Sequence, residues 1–278
     1  MDLIAIDIGN SSISMGIFTN GDLAETAQIS FENIQEFPKT LVSFRNMCGA
    51  QEHGARTVPV VVSSVNDPVF KAVEQGVLET IDQTALLVGR EIPLNYKMAI
   101  ENPETIGTDR VVNAVAAFEV VTRGVCVADF GTATTIDLVN DLGIFLGGVI
   151  LPGIGISADL LHQNTSQLEK TDIIDPVGSY GTNTAQAINN GIVYGAVGAL
   201  REMTEQYASK LGYWPQVVVT GGYAKLIAQH CDFVDSVVPH LCLNGLYIIY
   251  DKYKEQITNT FNDNELTSED LLGDNDEA

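Results

Sequence analysis

An apolar run ending in an acidic turn occurs twice in this chain. Leu3-Ile4-Ala5-Ile6 leads into Asp7-Ile8-Gly9-Asn10-Ser11-Ser12-Ile13-Ser14, and Val125-Cys126-Val127-Ala128 leads into Asp129-Phe130-Gly131-Thr132-Ala133-Thr134-Thr135-Ile136. Each copy reads as a buried strand, an Asp at its end, a glycine turn with small hydroxyl or amide side chains, and a second strand. A glycine turn lets the backbone come close to a ligand and aim its N–H groups at an anion. The Asp beside it can hold a cation that the anion shares. Two such turns facing each other would clamp a metal–nucleotide. They lie 122 residues apart, from Asp7 to Asp129, which favours two domains within 278 residues.

The elements around each turn also repeat. Residues 2–8, 12–18 and 23–29 run or alternate apolar, with turns at Gly9-Asn10 and Asn20-Gly21; Asn-Gly is a strong hairpin signal. A helix over about 33–48, a strand over 58–62 and a helix over about 68–80 follow, then a helix over about 108–122. The second half reads as strands over 125–128, 133–139 and 144–150, helices over 155–163 and 184–210, a strand over 217–219, a helix over about 222–230, a short strand near 234–238 and a helix over about 241–254. This order describes an α/β protein with mixed β-sheets flanked by helices. The expected division is 1–122, 123–254 and a tail, 255–278.

Charge excludes some partners. The formal net charge is −22, which argues against a nucleic acid or an anionic membrane surface. Residues 255–278 carry eight acids and no Lys or Arg, so they read as a solvated, flexible tail; the body remains acidic at −14. No leader-like segment or membrane-length apolar run is found, and a soluble cytoplasmic protein is expected. The four cysteines, Cys48, Cys126, Cys231 and Cys242, lack metal-ligand spacing and read as reduced thiols.

Four further motifs carry possible chemistry. Gly107-Thr108-Asp109-Arg110 opens an apolar-periodic helix. Thr108 or Asp109 could simply cap it. Arg110, however, opposes the helix dipole in the first turn, so it suits gripping a carboxylate or phosphate, while Asp109 could accept a proton from a substrate hydroxyl. That pair fits phosphoryl transfer, in which the protein positions groups and stabilises charge. Gly147-Gly148-Val149-Ile150-Leu151-Pro152-Gly153 reads either as a close approach of strand and ligand or as a plain tight turn. Thr182 or Thr184 could cap the longest helix, whose Gly191, Gly195 and Gly198 share one face; interior glycines cost about 1 kcal/mol each, and a subunit interface would justify them. Thr220-Gly221-Gly222 suits a backbone seat for the adenosine end of a nucleotide, or an ordinary strand-to-helix turn.

The duplicated unit resembles the actin / sugar-kinase / Hsp70 ATPase superfamily, in which two ribonuclease-H-like domains enclose nucleotide and metal. In order, the two Asp-Gly turns, Asn102-Pro103 before Gly107-Thr108-Asp109-Arg110, the Gly147–Gly153 run, Thr184-Ala185, Thr220-Gly221-Gly222 and Asn244-Gly245-Leu246 resemble type III pantothenate kinase over about residues 2–254. The resemblance implies ATP-dependent phosphorylation of pantothenate, the first step of coenzyme A synthesis, by a homodimer. It implies that Asp7, Ile8, Gly9, Asn10, Ser11, Ser12, Ile13 and Ser14 form a phosphate loop with Asp7 at Mg²⁺, that Thr132, Gly221 and Gly222 contact ATP, and that Asp129 holds a monovalent cation, K⁺ or NH₄⁺. Asp109 would be the base, Gly107 to Arg110 would hold pantothenate with Arg110 on its carboxylate, and Thr184 would complete the pocket across a dimer interface. Ile100 stands where the family often has a substrate-touching Tyr, Thr108 where Ala is common, and Ser11 where Thr is usual.

Two other functions are compatible with the same residues: a catalytically weak accessory or regulatory relative, and a kinase for another small hydroxy acid. Asp7, Asp109, Arg110 and Asp129 together argue against the first, because a non-catalytic protein has no need of so many costly polar groups. Ile100 keeps the second open.

Overall fold

The computed structural model describes residues 1–48, 57–166 and 168–270. The first half contains strands β1 (Leu3–Ile8), β2 (Ser12–Thr19), β3 (Asp22–Ser30), β4 (Val60–Ser64) and β5 (Ala85–Leu87), with helices α1 (Phe37–Met47), α2 (Asp67–Ile81) and α3 (Thr108–Val121). The second contains β6 (Val125–Phe130), β7 (Ala133–Val139), β8 (Phe145–Pro152), β9 (Gln216–Thr220) and β10 (Ser236–Val237), with α4 (Ile154–Gln163), α5 (Thr184–Leu211), α6 (Ala224–Ala228) and α7 (Leu241–Asp270). The strands form two five-stranded sheets, ordered β3-β2-β1-β4-β5 and β10-β9-β6-β7-β8. Read from opposite edges they are the same sheet: a meander of three antiparallel strands, with the remaining two strands added in parallel on the open side of β1 or β6.

Local chemistry explains these elements. The β2–β3 hairpin turns on Asn20 and Gly21, both at positive φ (54° and 98°), which the right-handed twist of a hairpin favours and which these residue types tolerate. β1 alternates its side chains into two cores: Ile4, Ile6 and Ile8 pack with α1 and α2, while Leu3 and Ala5 pack with α3 and α7. The second sheet is covered on one face by α4, α5 and α6, and on the other by the small side chains Ala114, Ala116 and Ala117 of α3. Helix α3 therefore lies between the two sheets, with α7 crossing it. The crossing is close: a Cβ on Gly245 would stand 2.4 Å from the Val112 carbonyl oxygen.

Several sequence-based expectations are corrected. The last helix does not stop near residue 254; it continues through the first part of the acidic segment to Asp270, because residues 255–270 contain no Pro or Gly to end a helix already nucleated. Residues 271–278 lie outside the described residues. Residues 241–254, grouped with the second half, pack mainly on α3 and the first sheet. Strand β5 was not anticipated, since three residues are too few to show a period. Among the described residues, no helix is long and apolar enough to cross a membrane.

Candidate active site

The two acidic turns occupy equivalent positions. Asp7 pairs in register with Ser14 of β2 and Ser63 of β4; Asp129 pairs with Thr135 of β7 and Thr220 of β9. In each turn the glycine N–H closes the loop, Gly9 onto the Ser12 carbonyl three residues on (3.1 Å) and Gly131 onto the Ala133 carbonyl two residues on (3.2 Å). The turns meet tip to tip, with the Ser11 and Thr132 hydroxyls 2.7 Å apart. The two strand-end carboxylates are thus brought to the same place in the molecule, one from each sheet.

Asp109 approaches both carboxylates from the first turn of α3. The side chains proposed as caps do not cap: the helix starts at Gly107 without a side-chain bond, and the Asp109 carboxylate instead accepts from the Arg110 N–H at 2.8 Å. Gly107 is needed there, because a Cβ would come within 2.5 Å of Asp109 Oδ1. One turn further on, buried Asn113 donates Nδ2–H to Asp129 Oδ2 at 3.1 Å. The helix that carries Asp109 is therefore fastened to the second sheet.

Electrostatics bind the three carboxyls into one unit. Burial, and then the charges of Asp109 and Asp129, raise Asp7 to about 7 against the opposing influence of Cys242 and Ser63 beside it. Burial and the Asp109 charge raise Asp129 to about 6, while the Asn113 hydrogen bond lowers it. Asp109 is also raised by burial, and the Arg110 N–H and guanidinium act the other way. Asp7 Oδ1 is shut off from solvent with no hydrogen-bond partner, as is Ser63 Oγ. A buried, unpaired carboxylate oxygen is costly unless a cation or proton meets it. Among the described residues no three metal-binding side chains converge on one point. The unpartnered Asp7 carboxylate oxygen suits a hard divalent cation, as Mg²⁺ is, that takes its other oxygens from phosphate and water.

Arg110, read from the sequence as a grip for a carboxylate or phosphate, already holds a carboxylate of its own chain. It is paired with the carboxylate of Asp137, in β7, a residue that sequence reasoning missed. The only available signal was a charge inside the apolar string Ala133–Val139. The guanidinium rises above its ordinary range, because Asp137 outweighs the burial that would lower it. Burial favours the neutral acid of Asp137, but a permanent guanidinium on both its oxygens keeps the pair ionised.

The other expected residues divide. Ile100 packs by Phe145 and Gly147, near Arg110. Gly221 belongs to the site: at φ +95°, its missing Cβ leaves room for Asp129 Oδ1, 2.5 Å from where it would stand; Gly222 follows, exposed. Gly148 and Gly153 prove to be packing positions, where a Cβ would meet Asp137 Oδ1 at 2.2 Å and the Thr132 carbonyl at 2.0 Å. Thr184 stands exposed at the start of α5, and the cap of that helix is Asn183, which accepts from Gln186 N–H at 2.9 Å. Among the described residues no hydrogen bond links Thr184 to the carboxylate group.

Two duplicated sheets whose acidic turns face each other define the actin-like, sugar-kinase class of α/β fold. Solved structures agree at the level of fold. A conserved putative Baf family transcriptional activator from Campylobacter jejuni superposes with a TM-score of 0.59 at 19% identity, over 91% of this chain and 100% of that one. A putative 2-dehydro-3-deoxygalactonokinase from Sinorhizobium meliloti superposes at 0.51 and 12% identity, over 89% and 97%. Within that class the chain belongs to the type III pantothenate kinase family, whose family model matches residues 3–206. A relative named type III pantothenate kinase, from Anaeromyxobacter dehalogenans (strain 2CP-C), is 37% identical over 251 residues, covering 90% of this chain and 99% of its own.

Proposed function

We propose that this protein transfers the γ-phosphoryl group of ATP to the primary hydroxyl of pantothenate, giving 4′-phosphopantothenate, the first step of coenzyme A biosynthesis. Family membership supplies the substrate. The observation that carries the mechanism is the placing of Asp109 beside two facing Asp-Gly turns, in one electrostatically coupled group.

In this reading the turn from Asp7 to Ser14, with Thr132, cradles the phosphates through backbone N–H and hydroxyl groups, and Gly221-Gly222 seats the adenosine end. Asp7 would hold Mg²⁺, which offsets charge on the phosphate oxygens, and Asp129 a monovalent cation, K⁺ or NH₄⁺. Asp109 accepts the hydroxyl proton as the oxygen attacks. Its raised affinity for a proton makes it a better base than an ordinary carboxylate, provided it is ionised when substrate arrives. Gly107 and Thr108 border the acceptor, Ile100 contributes an apolar wall, and Arg110 meets the pantothenate carboxylate.

A homodimer completes the pocket. Gly191, Gly195 and Gly198 of α5 would each bear a Cβ in open space, so nothing among the described residues requires glycine there. A second α5 packed on this face would require it, and would bring the partner subunit's Thr184 towards the substrate.

Purified protein given Mg-ATP, pantothenate and K⁺ should form 4′-phosphopantothenate, detected by mass spectrometry. Absence of product while Mg-ATP still binds would overturn this function.

A further inference from the structure

The Arg110–Asp137 pair is built with more care than a surface ion pair. Arg110 Nε stands 3.1 Å from both Asp137 oxygens, and Nη2 also donates to Oδ1. The Asp137 side chain is 3% exposed and that of Arg110 15%. The Phe145 ring lies 5.8 Å from the guanidinium carbon. On the neighbouring strand, Gly148 faces Asp137 in register, and any larger residue would collide with Asp137 Oδ1 at 2.2 Å and with the Ile136 carbonyl at 2.3 Å. That carbonyl is itself held by the Tyr207 hydroxyl of α5 at 2.8 Å. A buried ion pair is weak evidence for stability, since desolvation offsets most of its attraction. Such a surround calls for a role in orientation.

Guanidinium chemistry indicates which. Arg carries five N–H donors in a rigid plane. Asp137 engages the edge formed by Nε and Nη2, which leaves the N–H groups of Nη1 and the second N–H of Nη2. Those form a second fork that matches another carboxylate. Without Asp137, the guanidinium could rotate towards Asp109, whose charge already acts on it.

We propose that Asp137 is a positioning residue: it locks one edge of Arg110 so that the other edge receives the carboxylate of the acid substrate, and it keeps Arg110 away from the base, Asp109. The proposal rests on the kinase reading above.

The test is steady-state kinetics of D137N, varying pantothenate and ATP separately, with melting temperatures measured alongside. A charge-assisted hydrogen bond contributes about 1.5–3 kcal/mol, which corresponds to a rise in the KM for pantothenate of roughly tenfold to a hundredfold. The KM for ATP should stay within about twofold of wild type. A general loosening of the fold would raise both KM values, and either that result or an unchanged pantothenate KM overturns the proposal. If D137N melts too low to assay, R110Q/D137N is compared with R110Q alone. With Arg110 gone, Asp137 should no longer matter to the pantothenate KM, and a further selective rise would overturn the proposal. Failure of the wild type to phosphorylate pantothenate would be a different result: it would overturn the kinase reading, and this proposal with it.

Discussion

Three carboxyl groups, Asp7, Asp109 and Asp129, lie close together, and burial makes each a poorer anion than a free Asp, with the Asp109 charge adding to the effect on Asp7 and Asp129. Removing the base should show this most directly. Asp109→Asn should lower kcat by about two to four orders of magnitude while circular dichroism stays that of the wild type. A near-normal rate would exclude Asp109 as the base. Stability carries the opposite sign from the usual surface carboxylate. Asp7 at about 7 and Asp129 at about 6 hold protons in the folded chain that the unfolded chain releases near 3.8. The folded state thus binds more protons between about pH 4 and pH 7, and stability falls as pH rises through that window. The ligand-free protein should melt at a lower temperature at about pH 8 than at about pH 5, and Mg-ATP should restore part of the loss. Asp7→Asn should raise the ligand-free melting temperature at the higher pH and yet abolish turnover. Scanning calorimetry across pH checks both signs.

At the scale of elements, α3 is the member on which the site depends. It carries Asp109, Arg110 and Asn113 on successive turns, and the last two are tied to Asp137 and Asp129 of the second sheet. It also meets α7, where Gly245 lies against the Val112 backbone. Gly245→Ala would drive a methyl group against the Val112 carbonyl, and overpacking of this kind costs about 1–3 kcal/mol. A thermal melt should show that loss, together with a smaller fall in activity, because α3 shifts along with its carboxylate. A neutral substitution would show that the two helices separate without strain. The motif Asn244-Gly245-Leu246 was legible in the sequence, but only as a resemblance. The packing against Val112 gives its physical reason.

For the whole molecule, the open glycine face of α5 is the feature that calls for a second copy. If the proposed dimer forms through this face, Gly195→Leu should leave a monomer in light scattering after gel filtration. On the proposed assembly it should also raise the pantothenate KM, by withdrawing the Thr184 that the partner subunit would supply. A wild-type protein that remains monomeric at assay concentrations would contradict the assembly. The strong negative charge works against association through like-charge repulsion, so the dimer should tighten as salt is raised from about 10 to 150 mM.

By itself, the sequence determined the two Asp-Gly turns, the hairpin at Asn20-Gly21, the order of every strand but β5 and the helix that begins at Gly107-Thr108-Asp109-Arg110. Those features depend on local rules: alternation, glycine's freedom at positive φ, and turn chemistry within a few residues. The family motif then made the catalytic candidates legible, residue by residue. Tertiary structure alone decided the rest. It paired Arg110 with Asp137, 27 positions away, joined Ser11 to Thr132 across 121, and laid α7 back on the first sheet. Such contacts follow no sequence period. They arise because two sheets of the same topology must bury their faces against one shared helix, and only that packing settles which charge faces which.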